Sequence, residues 1–286
     1  LPLMRRKEGD ATFDSLELEE ENGKPRRLGI DEFLNTTAAY YDIEKPQFDT
    51  WAETISWCGT VLSTKQGQER VLDTVRTLDR KNIKGFKVRR NAHEHELVKN
   101  IARTVGEAYR HVVYNASYEG KQFRDEGSFR IKGKQPRKRA VPQGATGSAK
   151  DFMTRWQLSP WGETTDPMSL AKIAMPHLPH HRLELVSKHL HALAGTGQPY
   201  TKTMGYDEMR HEDRKARPEN LAVYTSEDAE ELYQLDRLEP MRDLYEDMLD
   251  ASHTFGTSAS HTMKNANTTT QLWKARFFKT YGRHID

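Results

Sequence analysis

The chain has 286 residues, a formal charge of +2 and a low mean hydropathy of −0.88. Apolar residues make up only 35% of it, which predicts a modest core and much surface that is solvated or covered by another molecule. No apolar run approaches the roughly 20 residues of a membrane span, and no signal peptide is expected. The single cysteine, Cys58, excludes a disulfide framework and a multi-cysteine zinc site, and it fits a reducing compartment.

The small net charge hides strong segregation of charge along the chain. Residues 8–21 carry seven acids and no base, whereas residues 80–90 carry six bases and no acid. Residues 226–250 carry ten acids against two bases. Such blocks predict a polyanion partner, contact between unlike patches of neighbouring molecules, or simply solvated faces.

The first half of the chain is dominated by apolar spacings of three and four, which predict helices. Residues 1–30 are predicted to form an arm with a weak hairpin at Asn22-Gly23. A helix is expected from Asp31 to about Tyr41. Three apolar stripes follow: Phe48, Trp51, Ile55, Cys58 and Leu62; then Val71, Leu72, Val75 and Leu78; then Leu97, Ile101, Val105, Ala108 and Val112.

The second half begins with a basic, glycine-rich segment, residues 119–150, which is too polar to bury and is predicted to be a long loop. Helices then resume, one capped by Asp166 with Pro167 in its first turn and one that is stopped by Gly195. An acidic helix is predicted to begin at Ser226 and another at Pro240. Residues 251–270 are expected to be an extended linker before an aromatic-basic tail.

Because none of these segments alternates with period two, the sequence predicts a mainly α fold: a single helical core domain with extended N- and C-terminal arms. The expected domain boundaries are 1–30 for the N-terminal arm, 31–225 for a helical RNA-binding core with the basic insertion 119–150, and 226–286 for acidic helices and a basic-aromatic arm.

No catalytic pattern is recognisable in the sequence. Twelve histidines invite a metal interpretation, but no HExxH motif occurs, and His189 and His191 are two residues apart, which separates them on a helix. Cys58 falls on an apolar stripe and is expected to be a core residue. We therefore expect no enzyme activity, no cofactor and no metal.

Nucleic-acid binding is better supported by the residues. Lysines and arginines surround Phe86 in residues 80–90, and more surround Phe123 and Phe129 in the insertion. Basic side chains neutralise phosphates without sequence preference, and aromatic rings can stack on unpaired bases. No motif that reads a specific base sequence is present, which favours a packaging protein.

Residues 152–174, FMTRWQLSPWGETTDPMSLAKIA, resemble a segment of the coat proteins of potyvirus-like flexible filamentous plant viruses. Other motifs of the family follow in the same order, namely Tyr41-Asp42-Ile43, Trp57-Cys58, Glu107-Ala108-Tyr109, Lys188–Ala194 and His211–Ala216. The resemblance implies an all-α capsid subunit with an RNA groove and two arms that bind neighbouring subunits. It implies RNA contacts at Ser63 or Thr64, and at Lys99 or Arg103, whereas the family's aspartate is missing, since Ile173–Pro176 stands in its place.

Together these patterns predict a viral coat protein that polymerises around single-stranded RNA without base preference, in virions and the host cytoplasm. Its partners would be RNA and copies of itself, with no membrane. The alternatives are a nucleoprotein of a segmented negative-strand RNA virus, a helical RNA-processing enzyme, and a scaffold that binds no nucleic acid. The candidate RNA-binding residues are Ser63, Thr64, Lys84, Lys87, Arg89, Arg90, Lys99, Arg103 and Lys172.

Overall fold

The structure, a computed structural model, describes residues 20–21, 24–25, 29–44, 55–105, 108–116, 163–196, 202–203 and 218–255. Within these ranges the strands are β1 (Glu20–Glu21), β2 (Lys24–Pro25), β3 (Ala38–Glu44), β4 (Trp57–Thr64), β5 (Gly67–Thr74), β6 (Asn82–Ile83), β7 (Phe86–Arg90), β8 (Arg110–Val112) and β9 (Glu163–Thr165). The helices are α1 (Ile30–Leu34), α2 (Glu94–Val105), α3 (Pro167–Ala174), α4 (Leu183–Leu193), α5 (Pro218–Leu235) and α6 (Glu239–Phe255).

The mainly α prediction is wrong, because seven of these strands form one mixed sheet in the order β6-β7-β5-β4-β3-β8-β9. Strands β3, β4 and β5 form an antiparallel meander, while β7 pairs in parallel with β5 and β8 pairs in parallel with β3. Helices cover both faces of the sheet, so the fold is α/β.

Two of the apolar stripes that predicted helices lie in central strands. Cys58 and Leu62 belong to β4, and Val71 and Leu72 belong to β5. Both faces of these strands are covered, so consecutive residues are buried and the alternation of a half-exposed strand is lost. The spacing of three and four therefore arose from apolar residues on both faces of a strand.

Strand alternation divides the core into two apolar clusters, one on each face of the sheet. On the first face, α2 places Leu97 and Ile101 against Cys58, Leu62 and neighbouring residues. On the second face, residues of α1, α3, α4, α5 and α6 pack against the alternate side chains of the same strands. We call these the α2 face and the α5 face.

Several predicted helix ends are confirmed. Asp166 caps α3 by accepting a hydrogen bond from the Met168 backbone N–H at 3.0 Å, with Pro167 in the first turn. Gly195 follows α4 in the left-handed region, with φ +65. The cap predicted at Ser226 is wrong, because this residue lies inside α5 and its hydroxyl donates to the Ala222 carbonyl.

Helix α5 spans the boundary predicted between residues 225 and 226 and packs on β3 and β4. The hairpin predicted at the N-terminus is confirmed, since β1 and β2 pair on either side of residues 22–23. The basic insertion 119–150, the C-terminal tail from residue 256 and most of the N-terminal arm lie outside the described residues.

Candidate nucleic-acid interface

The basic block at residues 80–90 forms the β6–β7 hairpin at one edge of the sheet. Lys84 and Gly85 form its turn, both with positive φ. Phe86 is only 1% exposed and packs in the core on the α5 face. Its ring therefore cannot stack on an RNA base while the sheet is folded, and the aromatic role predicted for it is wrong.

Two arginines of the block are bound within the protein. Arg89 donates to both carboxylate oxygens of Asp73, each at 2.6 Å, and to the Thr104 hydroxyl at 2.8 Å. Burial acts against the charge of Arg89, but the bond to Asp73 outweighs it and raises the pKa of the guanidinium. Arg90 donates to the backbone carbonyl of Leu78. Both side chains thus hold β7 in place.

Two further bases of the hairpin contact α5. The Lys84 ammonium lies 3.2 Å from Glu227 Oε1 and 3.2 Å from the Thr203 hydroxyl. Arg80 Nε lies 3.7 Å from Glu219 Oε2, with the Arg80 side chain largely exposed and that of Glu219 partly exposed. Lys84 therefore links the hairpin to α5, and it would have to leave an acidic partner before it could contact RNA.

Three exposed basic side chains lie on the α2 face, namely Lys87 on β7 and Lys99 and Arg103 on α2. Lys87 points to this face because Phe86 and Val88, on either side of it, point into the opposite core. Lys99 and Arg103 are exposed and four residues apart, which places them on one side of α2. Within the described part of the chain, these three side chains make no ion pair.

Arg89 connects the strand to the helix in this group, because its guanidinium spans from β7 to Thr104 on α2. We call Lys87, Arg89, Lys99 and Arg103 the basic surface. Glu69 adds one exposed carboxylate on the same face of β5, close enough to Arg89 to interact with its charge. The exposed charge of this arrangement can bind phosphate groups.

The structure does not bring the other predicted residues to this surface. Ser63 points to the opposite face from Leu62 and lies half-buried at the end of β4. The Thr64 hydroxyl accepts from the Gln66 backbone N–H and donates to the Gly67 carbonyl, which stabilises the β4–β5 turn. Lys172 is exposed on α3, on the α5 face.

An acidic group that the sequence interpretation missed lies between α5 and β3. Glu227, Asp228 and Glu231 are buried on α5, and Asp42 and Glu44 are on the facing strand. We call these five residues the acid cluster. A solvated face, one of the interpretations that the sequence allows for this acidic block, is wrong for Glu227, Asp228 and Glu231, because all three are buried. In the sequence, Ala229 and Leu232 stand among these acids. That mixture was the available signal.

Lys202 is the buried cation of the acid cluster. Its ammonium lies 2.5 Å from Asp228 Oδ1 and 4.1 Å from the centre of the Tyr224 ring. The Thr203 backbone N–H donates to Glu227 Oε2 at 3.0 Å, so both residues of this segment are bound to α5. In the described part of the chain, no three His, Cys, Asp or Glu side chains are arranged to hold a metal ion.

A second buried ion pair fixes the other end of α5. Arg110 on β8 donates to both carboxylate oxygens of Asp236, each at 2.5 Å, and the Tyr40 hydroxyl donates to the same carboxylate at 2.7 Å. Burial alone would raise the pKa of Asp236, but Arg110 holds it below its usual value. The rings of Phe33 and Tyr245 lie close to the guanidinium, so this pair has a structural role.

No known protein-family model matches the chain. A comparison with curated proteins also finds no significant relative. No helix of the described residues is long and apolar enough to cross a membrane. The all-α core that the coat-protein resemblance implied is wrong, since Tyr41-Asp42-Ile43 and Trp57-Cys58 lie on paired strands, with Ile43 opposite Cys58.

Proposed function

We propose that this protein binds single-stranded RNA without base preference through the basic surface. The observation that carries the proposal is the group formed by Lys87, Lys99 and Arg103, which are exposed on one face and unpaired within the described residues. Arg89 joins strand to helix beneath them. Exposed lysine and arginine side chains are suited to bind phosphate groups, which every RNA sequence presents.

We propose packaging of a viral RNA as the setting for this binding, with copies of the chain as neighbours in a filament, in virions and the host cytoplasm. The support is the ordered set of short motifs that resemble flexible filamentous coat proteins. Electron microscopy of the purified chain mixed with RNA tests this setting: RNA-dependent filaments are expected, and particles that never assemble would contradict it.

RNA binding itself is tested by removing two charges from the basic surface. The double variant Lys99→Gln, Arg103→Gln should weaken binding to oligonucleotides of about 20 nucleotides by a similar factor for every base composition. Each phosphate contact to a single strand contributes about 0.7 to the slope of log affinity against log salt. The double variant should therefore flatten that slope by about 1.4.

A matched control is available on the α5 face, where Lys172 and Lys188 are also exposed. The double variant Lys172→Gln, Lys188→Gln removes the same charge at a different place. Fluorescence anisotropy measures the slope of log affinity against log salt for each variant. If the basic surface binds RNA, this slope will be flatter for Lys99→Gln, Arg103→Gln and unchanged for the control. Equal losses in both variants would mean that only net charge matters, which would contradict the proposal.

A further inference from the structure

The close packing of α5 on β3 and β4 brings several carboxyl groups near one another. Gly59 lies opposite Asp42 in the β3–β4 pairing, and a Cβ at this position would lie 2.5 Å from the Thr225 backbone oxygen. The helix backbone thus touches the sheet beside Asp42. Asp228 follows Thr225 by one helical turn, and its charge interacts directly with that of Asp42.

The acid cluster holds more negative than positive charge. The titratable and charged groups that face it in the described part of the chain are Asp42 and Glu44 on β3, Tyr114 after β8, Tyr224, Glu227, Asp228, Glu230 and Glu231 on α5, His191 on α4, Lys84 on the β6–β7 turn, and Lys202. Glu230 is itself paired with Arg70 at 2.7 Å. Two lysines therefore face the four carboxyl groups of Asp42, Glu227, Asp228 and Glu231.

Among the buried carboxylate oxygens at this interface, Asp228 Oδ1 is paired with the Lys202 ammonium at 2.5 Å. Asp42 Oδ2 and Glu231 Oε2 accept no hydrogen bond from any residue that the structure describes. The other oxygen of Glu231 accepts from the Ser187 hydroxyl, while His191 Nε2 stays 3.7 Å away. An ionised carboxylate without partners is costly in such a place, whereas a protonated one is far less so.

Protonation is the response that the surroundings favour. Burial, followed by repulsion from neighbouring carboxylates, raises the pKa of Asp42 well above its usual value. Burial also raises the pKa of Glu231, to about 7, and that of Asp228, although Lys202 opposes the rise for Asp228. Burial lowers the pKa of His191, which keeps this ring from supplying a compensating charge.

We propose that the acid cluster is a proton-controlled latch between α5 and β3. With protons on some of its carboxyl groups the helix lies against the sheet; when they all ionise, the helix separates from β3. Lys202 and Thr203 leave with the helix, because they contact Tyr224, Glu227 and Asp228 on α5. The contacts of Lys84 on the β6–β7 turn with Glu227 and Thr203 break in the same step. The like charges that drive the separation lie across the interface, with Asp42 on the strand side.

The latch is tested by amide hydrogen exchange of α5 in the full-length protein, compared with the Asp42→Asn variant at the same pH so that intrinsic exchange rates cancel. At about pH 5.5 the two proteins should exchange alike. At about pH 8.5 the wild type should exchange at least about tenfold faster, because only the wild type places an ionised carboxylate opposite Asp228.

Two further variants keep the test decisive. Glu231→Gln should protect α5 at high pH as Asp42→Asn does, and it serves if the first variant does not fold. Lys202→Met should have the opposite effect and open α5 at a lower pH than the wild type, because it removes the buried cation.

Asp79→Asn changes an exposed carboxylate outside the cluster and is the control, expected to match the wild type at both pH values. If the ratio of the α5 exchange rates in the wild type and in Asp42→Asn is the same at both pH values, the latch is wrong. These measurements use no RNA, so their outcome is independent of the proposed RNA binding.

Discussion

Acidification should destabilise the fold through His111, which is buried on the α2 face of β8. Its ring makes an edge contact with Tyr41 at 6.1 Å between centroids and packs among residues of the α2-face cluster. Burial lowers the pKa of His111 from 6.5 to about 4. The ring is therefore neutral in the folded protein at a pH where it is already protonated in the unfolded chain.

The direction and size of the effect follow from the difference between these two pKa values. Because the folded pKa is the lower one, the stability contribution is complete above 6.5 and is lost as the pH falls through about 4. From about pH 8 to about pH 5 the contribution of His111 to the unfolding free energy should fall by about 2 kcal/mol. The loss should approach about 3 kcal/mol near pH 4.

The assay is urea denaturation of the wild type and of His111→Phe across this pH range. The difference in unfolding free energy between the two proteins should grow by about 2 kcal/mol toward pH 5 in favour of the variant. His180→Gln, at an exposed histidine, is the control and should give a difference that does not depend on pH. A constant difference for His111→Phe would refute the reasoning, because His111 would then titrate alike in both states.

Two predictions concern the contacts that hold α5 against the sheet. Asp236→Ala leaves the Arg110 guanidinium buried without its carboxylate and should cost about 3–5 kcal/mol of unfolding free energy, measured by urea denaturation; a cost below about 1 kcal/mol would contradict the structural role of the pair. Gly59→Ala places a methyl group against the Thr225 backbone and should cost about 1–3 kcal/mol in the same assay. An unchanged midpoint would mean that α5 does not touch the sheet there.

The parts of the fold that could be predicted from sequence depend on neighbouring residues alone. Asp166 with Pro167 specifies a helix start, and Gly195 specifies a helix end, because capping and left-handed backbone are local properties. The stripe at Leu97, Ile101 and Val105 is a true helix with one buried side. Such features need no knowledge of the rest of the chain.

The sheet could not be predicted because its central strands are covered on both faces. In β4, Trp57, Cys58, Val61 and Leu62 are all buried, and they belong to two different clusters. A strand shows period-two alternation of apolar and polar residues when one of its faces is exposed to solvent, and both faces of β4 are covered. The same burial hid Phe86, which sequence alone places in a basic block and the fold places in the core.

Long-range pairing limited the prediction of the candidate site. Arg89 forms an ion pair with Asp73, and Lys84 forms one with Glu227. Neither partner is near in sequence. A count of basic residues therefore overstates the charge that RNA can reach. Lys99 and Arg103 were expected from the coat-protein resemblance, and their exposure on one side of α2 follows from local helix periodicity. The acid cluster, in contrast, depends on Asp42 meeting α5 across the sheet.

Buried titratable groups on the two faces of the sheet change the stability of the fold with pH in opposite directions. His111 on the α2 face is stable only when neutral, so acid weakens its contribution, whereas burial raises the pKa of Glu231 on the α5 face to about 7 from 4.5. The contribution of Glu231 to the unfolding free energy is complete below pH 4.5 and is lost as the pH rises through about 7. Between about pH 5 and pH 8 each group contributes about 2 kcal/mol, with opposite sign. The pH dependence of the wild type is thus a small difference between larger effects, and only comparison with single variants separates the α2 face from the latch.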